Sequence, residues 1–112
     1  MGICLGHQAI CSYYGARLEC LNKVVHGERT IIYCEQNSVL FKGINEMYVG
    51  RYHSWVAKEP INKNLQVIAT DTSNNIMAVE DKEKRIFGVQ FHPESYMSQN
   101  GLQILKNFIY CQ

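Results

Sequence analysis

Apolar and polar positions along this chain fall into short blocks, each with a readable period. From Gly6 to Tyr14 the spacing is helical, and Gly15 supplies the stop. Ala9, Ile10, Tyr13 and Tyr14 spread apolar surface around most of that helix, which predicts a largely buried element. Met1-Gly2-Ile3 ahead of it is too short to read as a strand. Arg17 to Leu21 and Thr30 to Cys34 read as two short strands, the second rich in β-branched residues. Tyr48 to Val56 is a mixed extended segment. Leu65 to Thr70 and Ile76 to Val79 are strands separated by a turn over Thr72-Ser73-Asn74-Asn75. The charge run from Asp81 to Arg85 predicts a solvated turn between strands. Ile86 to Phe91 is an apolar strand, broken abruptly by His92-Pro93-Glu94-Ser95. From about Asn100 an amphipathic helix presents Leu102, Leu105, Phe108 and Ile109 at three- and four-residue spacing. A helix placed directly after a glycine-flanked turn, among more numerous strands, predicts an α/β sheet.

Composition narrows the class. The 112 residues suit one domain, and 46% hydrophobic with 19% charged residues is ordinary globular usage. A formal net charge of +1 with no basic run argues against nucleic acid as a partner. No apolar stretch approaches the roughly 20 residues that cross a bilayer, and no signal peptide is visible. The chain therefore reads as soluble and cytoplasmic. Its five cysteines (Cys4, Cys11, Cys20, Cys34, Cys111) lack the paired spacing of a disulfide scaffold and read mostly as buried thiols. With the four histidines (His7, His26, His53, His92) they raise a thiol or metal-binding module as an alternative. Cys4-x-x-His7 is the only short pair, so zinc is disfavoured and no metal site is assigned.

Two constellations carry chemistry. Gly2-Ile3-Cys4-Leu5-Gly6 has the form G-x-nucleophile-x-G, in which a sharp strand-to-helix turn needs small neighbours to close. Such a turn puts the thiol at a helix start, where the dipole favours thiolate, and aims the Leu5 N–H at a developing oxyanion. A buried cysteine in a glycine-containing turn is the bland alternative. The second constellation, His92-Pro93-Glu94, follows an apolar strand whose end can mount a base rigidly. An imidazole would take the thiol's proton, and a carboxylate two positions on would orient the ring. An ordinary surface turn is the alternative there. Cys4, His92 and Glu94 together are the parts of a triad.

Gly2-Ile3-Cys4-Leu5-Gly6-His7-Gln8-Ala9, Arg51-Tyr52-His53-Ser54-Trp55 and Gly88-Val89-Gln90-Phe91-His92-Pro93-Glu94-Ser95 resemble, in order, the blocks of a class I (triad) glutamine amidotransferase. Val25-His26-Gly27 and Arg51-Tyr52-His53-Ser54 look most like the anthranilate synthase component II and aminodeoxychorismate synthase small subunits. The resemblance runs nearly end to end. It implies that Cys4 attacks the side-chain amide of L-glutamine to give a thioester and ammonia. His92 would serve as base and acid, with Glu94 orienting it. It further implies that Leu5, Gln8, Ser54 and Trp55 hold the substrate, Trp55 through its backbone where the subfamily usually has Leu. His7 and His53 are expected to be structural, and no cofactor is implied.

The partner implied is a chorismate-using synthase large subunit, in tryptophan or folate biosynthesis. Family members carry a segment ahead of the elbow, whereas here Met1 stands three residues before Cys4. The expectation is therefore a partial domain over residues 1–112, the C-terminal portion of an open, mostly parallel sheet flanked by helices and lacking its N-terminal strands. A catalytically silent remnant of such a domain is the alternative, and the cut sheet edge predicts poor solubility or self-association.

Overall fold

The computed structural model describes residues 1–110, and of residues 22–28 and 51–54 the backbone alone. The chain runs β1 (Gly2–Ile3), α1 (Leu5–Tyr13), β2 (Arg17–Cys34), β3 (Glu46–Lys58), β4 (Gln66–Asp71), β5 (Ile76–Asp81), β6 (Ile86–Val89) and α2 (Gly101–Ile109). Six strands form one sheet in the order β1-β6-β5-β4-β2-β3.

The α/β class is as expected, with α1 following the elbow and α2 closing the chain. Parallel pairing is confined to β1 and β6, where Gly2 faces Gly88 and Ile3 faces Val89. The other four pairings are antiparallel. For β4, β5 and β6 short connections account for this, because the turns between them are too brief for a parallel crossover. Gly2–Ile3 does form a strand, contrary to its reading as too short, since β6 supplies ladder partners that no local pattern reveals.

Arg17–Leu21 and Thr30–Cys34 are not separate. They belong to a single 18-residue strand. The polar stretch between them breaks the apolar pattern, yet β3 continues to pair alongside, absorbing the mismatch in register shifts after Cys20 and His26. β5 is buried at all six positions, so both of its faces are covered. Glu80 and Asp81 are therefore strand residues. The turn begins at Lys82, and Asp81 is not a solvated part of it.

One buried cluster gathers Ile32, Phe41, Met47, Met77, Phe91 and Ile104, with Phe108 packed against it. Phe87 and Phe108 meet edge to face at 5.8 Å, which docks α2 on β6. The seam of α2 thus runs through Gly101, Ile104 and Phe108, while Leu102 and Ile109, expected inside, are exposed. A second cluster joins Cys11 and Ala16 to Ala57, Leu65, Ile76 and Val79. Helix α1 is half-buried, not enclosed: His7, Gln8 and Cys11 face inward, whereas Leu5, Ala9 and Tyr13 face out. Its apolar residues do not mark its inner face, because two polar side chains go in and find partners there. No helix among the described residues is long and apolar enough to cross a membrane.

Candidate active site

Cys4 occupies the turn between β1 and α1 with φ 53° and ψ −101°, a conformation that L side chains rarely adopt. The surrounding structure enforces it. The Cys4 N–H donates to the Val89 carbonyl at 2.8 Å, which pins the turn to the end of β6, and the Gln8 N–H donates to the Cys4 carbonyl at 3.0 Å, which opens the helix. A Cβ on Gly2 would stand 2.6 Å from the Gly6 carbonyl carbon, so that position must stay bare for the turn to close. Gly6 itself faces open space, and the turn does not require its lack of a side chain.

The thiol is partly buried. Burial pushes its pKa above the ordinary thiol value, the Leu5 N–H and the Gln90 amide pull it down, and the Glu94 carboxylate adds to the rise. The donors at the helix start act toward thiolate as expected, but desolvation outweighs them and the net shift is upward. A thiol held protonated at neutral pH needs a base.

His92 Nδ1 and a Glu94 carboxylate oxygen stand 2.7 Å apart, with the ring about one-third exposed and the carboxylate largely so. The loop carrying them is tied down from behind. The Ser98 hydroxyl donates to the His92 carbonyl at 2.6 Å and accepts from the Gly50 N–H of β3 at 3.3 Å. The Ser95 N–H donates to the same carbonyl at 3.0 Å. Gly101 abuts the loop so closely that a Cβ there would lie 1.9 Å from the Pro93 oxygen. Because β1 and β6 are parallel neighbours, Cys4 and His92 both leave the same end of the sheet.

Gln8 is buried, and its Nε2 donates to the Trp55 carbonyl at 3.1 Å and to Gln90 Oε1 at 3.2 Å. The Trp55 carbonyl is taken up by Gln8, while its indole is half exposed and does not belong to the core. Leu5 contributes its N–H to the site and turns its side chain to solvent. The side chain of Ser54 lies outside the described residues, as do those of His26 and His53 and the whole of Cys111.

His7 is fully buried, with Nε2 3.8 Å from Cys11 Sγ. Gly88 makes room for that ring, since a Cβ there would stand 2.8 Å from Nδ1. Among the described residues only Cys11 is a fully buried thiol; Cys4 and Cys34 are partly so and Cys20 is exposed. Among the described residues no group of three or more His, Cys, Asp or Glu is placed to hold a metal. A concavity of about 600 Å³ lined by Glu35, Ser38, Glu59 and Glu80 includes none of Cys4, Gln8, His92 or Glu94, so it is not the seat of this chemistry.

Two residues at the site carry no assignment from the sequence. Gln90, fully buried, donates from Nε2 toward Cys4 Sγ at 3.7 Å. Its signal is a single amide in an otherwise apolar run, which must find partners when the strand is buried. Ser98 has no such signal.

The fold thus sets a cysteine turn at the end of one strand beside the strand that leads into a histidine–carboxylate pair. The chain belongs to the class-I glutamine amidotransferase family, whose model matches residues 1–111. It is 44% identical over 110 residues to anthranilate synthase component 2 of Helicobacter pylori, covering 97% of this chain and 55% of that protein. Against anthranilate synthase component 2 of Methanocaldococcus jannaschii it is 40% identical over 119 residues, covering 97% and 59%. A solved structure from Thermoplasma acidophilum, described as a GMP synthase subunit, superposes with a TM-score of 0.87 at 27% identity, over 96% of this chain and 54% of its own. The chain spans little more than half the length of the curated relatives it matches.

Proposed function

We propose that the chain is the part of a glutaminase domain running from the nucleophile elbow to the C-terminal helix, and that it hydrolyses L-glutamine through Cys4. The observation carrying this reading is the strained Cys4 turn, bonded through its own N–H to the strand that leads into the His92–Glu94 pair. In the proposed reaction His92 removes the Cys4 proton, and the sulfur attacks the side-chain amide carbon of glutamine. The carbonyl oxygen becomes an oxyanion facing the Leu5 N–H. Collapse expels ammonia with the proton returned by His92 and leaves a γ-glutamyl thioester on Cys4. Water, deprotonated by His92, then cleaves the thioester to glutamate and restores the thiol. Glu94 holds the ring and balances its transient charge.

The names of the curated relatives, together with the sequence motifs, favour a chorismate-using synthase as the consumer of the ammonia. The test is ammonia release from glutamine by the purified chain beside its Cys4→Ala variant. Turnover in the parent and none in the variant supports the reading. A folded parent that releases no ammonia, alone or mixed with a synthase large subunit, favours a silent remnant instead.

A further inference from the structure

Gln90 is fully buried, and its backbone N–H is fixed by the Met77 carbonyl at 2.8 Å. Its side chain bridges two groups, accepting at Oε1 from Gln8 and donating from Nε2 toward Cys4 Sγ. The direction of that bridge is imposed from a distance. The Trp55 carbonyl can only accept, so Gln8 must present its NH2 group there. The same NH2 is the group facing Gln90, which must answer with its oxygen. Once its oxygen is committed, the Gln90 NH2 has one way to point, and that is at the sulfur.

We infer that Gln90 is a positioning donor for the nucleophile, its carboxamide locked by the Trp55–Gln8–Gln90 relay so that Nε2 donates to Cys4 Sγ. The inference rests on the reading of Cys4 as the nucleophile. A donor stabilises a thiolate more than a thiol, because the hydrogen bond to the charged form is the stronger. The other groups facing the sulfur are the Leu5 N–H, the Glu94 carboxylate and, in the proposed triad, the His92 ring. Among these, Gln90 is the side-chain donor whose orientation is set without any proton of its own to lose.

The experiment is the pH profile of Cys4 alkylation by iodoacetamide in the full 112-residue chain, read by mass spectrometry on the Cys4 peptide. Gln90→Met keeps the shape without the donor, and Gln90→Glu replaces the donor with an acceptor. The methionine variant is expected to alkylate about three- to tenfold more slowly near pH 7. The glutamate variant is expected to be slower still, and all three should converge above the thiol pKa. A folded Gln90→Met chain whose profile overlays the parent overturns the inference.

Should the variants fail to fold, the parent labelled with ¹⁵N decides. The Gln90 side-chain amide resonance is expected to titrate with the thiol and to shift when Cys4 is alkylated, and a flat response overturns the proposal. Alkylation requires no turnover, so a chain inactive toward glutamine leaves this test intact. An active chain with a flat Gln90 response removes the inference and spares the glutaminase reading.

Discussion

Cys4 combines two properties that pull in opposite directions. Its strained backbone sets the sulfur at the tip of a turn, while burial raises its pKa and keeps it a thiol. In the proposed reaction the consequence is dependence on His92. In a glutamine assay His92→Asn is expected to lower kcat by about 10²- to 10⁴-fold, the range of general-base catalysis, with KM little changed. Glu94→Gln should lower it less and leave the Cys4 alkylation profile shifted toward lower pH, since the carboxylate now raises the thiol pKa. Equal kcat in parent and His92→Asn would remove the imidazole from the mechanism. The proposed nucleophile, base and carboxylate are all visible as residues in the sequence. The ionisation state of the sulfur is not, because burial is decided by packing from β6 and α1.

Among the elements, α1 and the β5–β6 hairpin are joined by one side-chain clamp. The Tyr14 hydroxyl donates to an Asp81 oxygen at 2.6 Å, and the Lys84 N–H donates to the other at 3.1 Å. The hydrogen bond from Tyr14 holds the Asp81 carboxyl below its ordinary range, and the same bond pushes the Tyr14 hydroxyl up to about 12. The lowered carboxyl stabilises the fold above its unfolded pKa of about 4 and loses that effect as pH falls. The raised hydroxyl stabilises below its unfolded pKa of about 10 and loses that effect as pH rises toward 12. Tyr14→Phe should therefore melt below the parent across roughly pH 5 to 9, with the gap closing at both extremes. A gap that stays constant from acid to alkali would show that the clamp contributes nothing. The charge run announces a turn correctly from Lys82 onward. Its first member behaves otherwise because a carboxylate at a strand end can be enclosed when a tyrosine from a distant helix covers it.

At the scale of the molecule, α2 is held by Ile104 and Phe108 while Leu102, Ile109 and Tyr110 stay outside. Ile104→Ala is expected to cost about 2–5 kcal/mol in a denaturant titration, since a fully buried aliphatic side chain leaves a cavity. Leu102→Ala, made at an exposed position, should stay within about 0.5 kcal/mol of the parent. Equal losses from the two would mean that the helix packs through another face. Helical period alone cannot choose between these faces. Leu102, Leu105 and Ile109 mark one stripe and Ile104 and Phe108 another, and the sheet decides which is inside.

Local chemistry settles early what this chain is. The elbow glycines, the thiol between them and the His-Pro-Glu turn are short-range patterns, legible without their surroundings. The helices and most strand segments are legible for the same reason, because period and stop signals act over a few residues. What waits for the tertiary structure are properties shared between distant segments: the pairing of Gly2–Ile3 with β6, the continuity of β2 along β3, and the sense of the pairings. The amide relay from Trp55 through Gln8 to Gln90 belongs with them, since it joins three segments at one sulfur. Hydrogen-bond direction and desolvation depend on which groups meet across the sheet, and one strand of sequence carries only half of each such meeting.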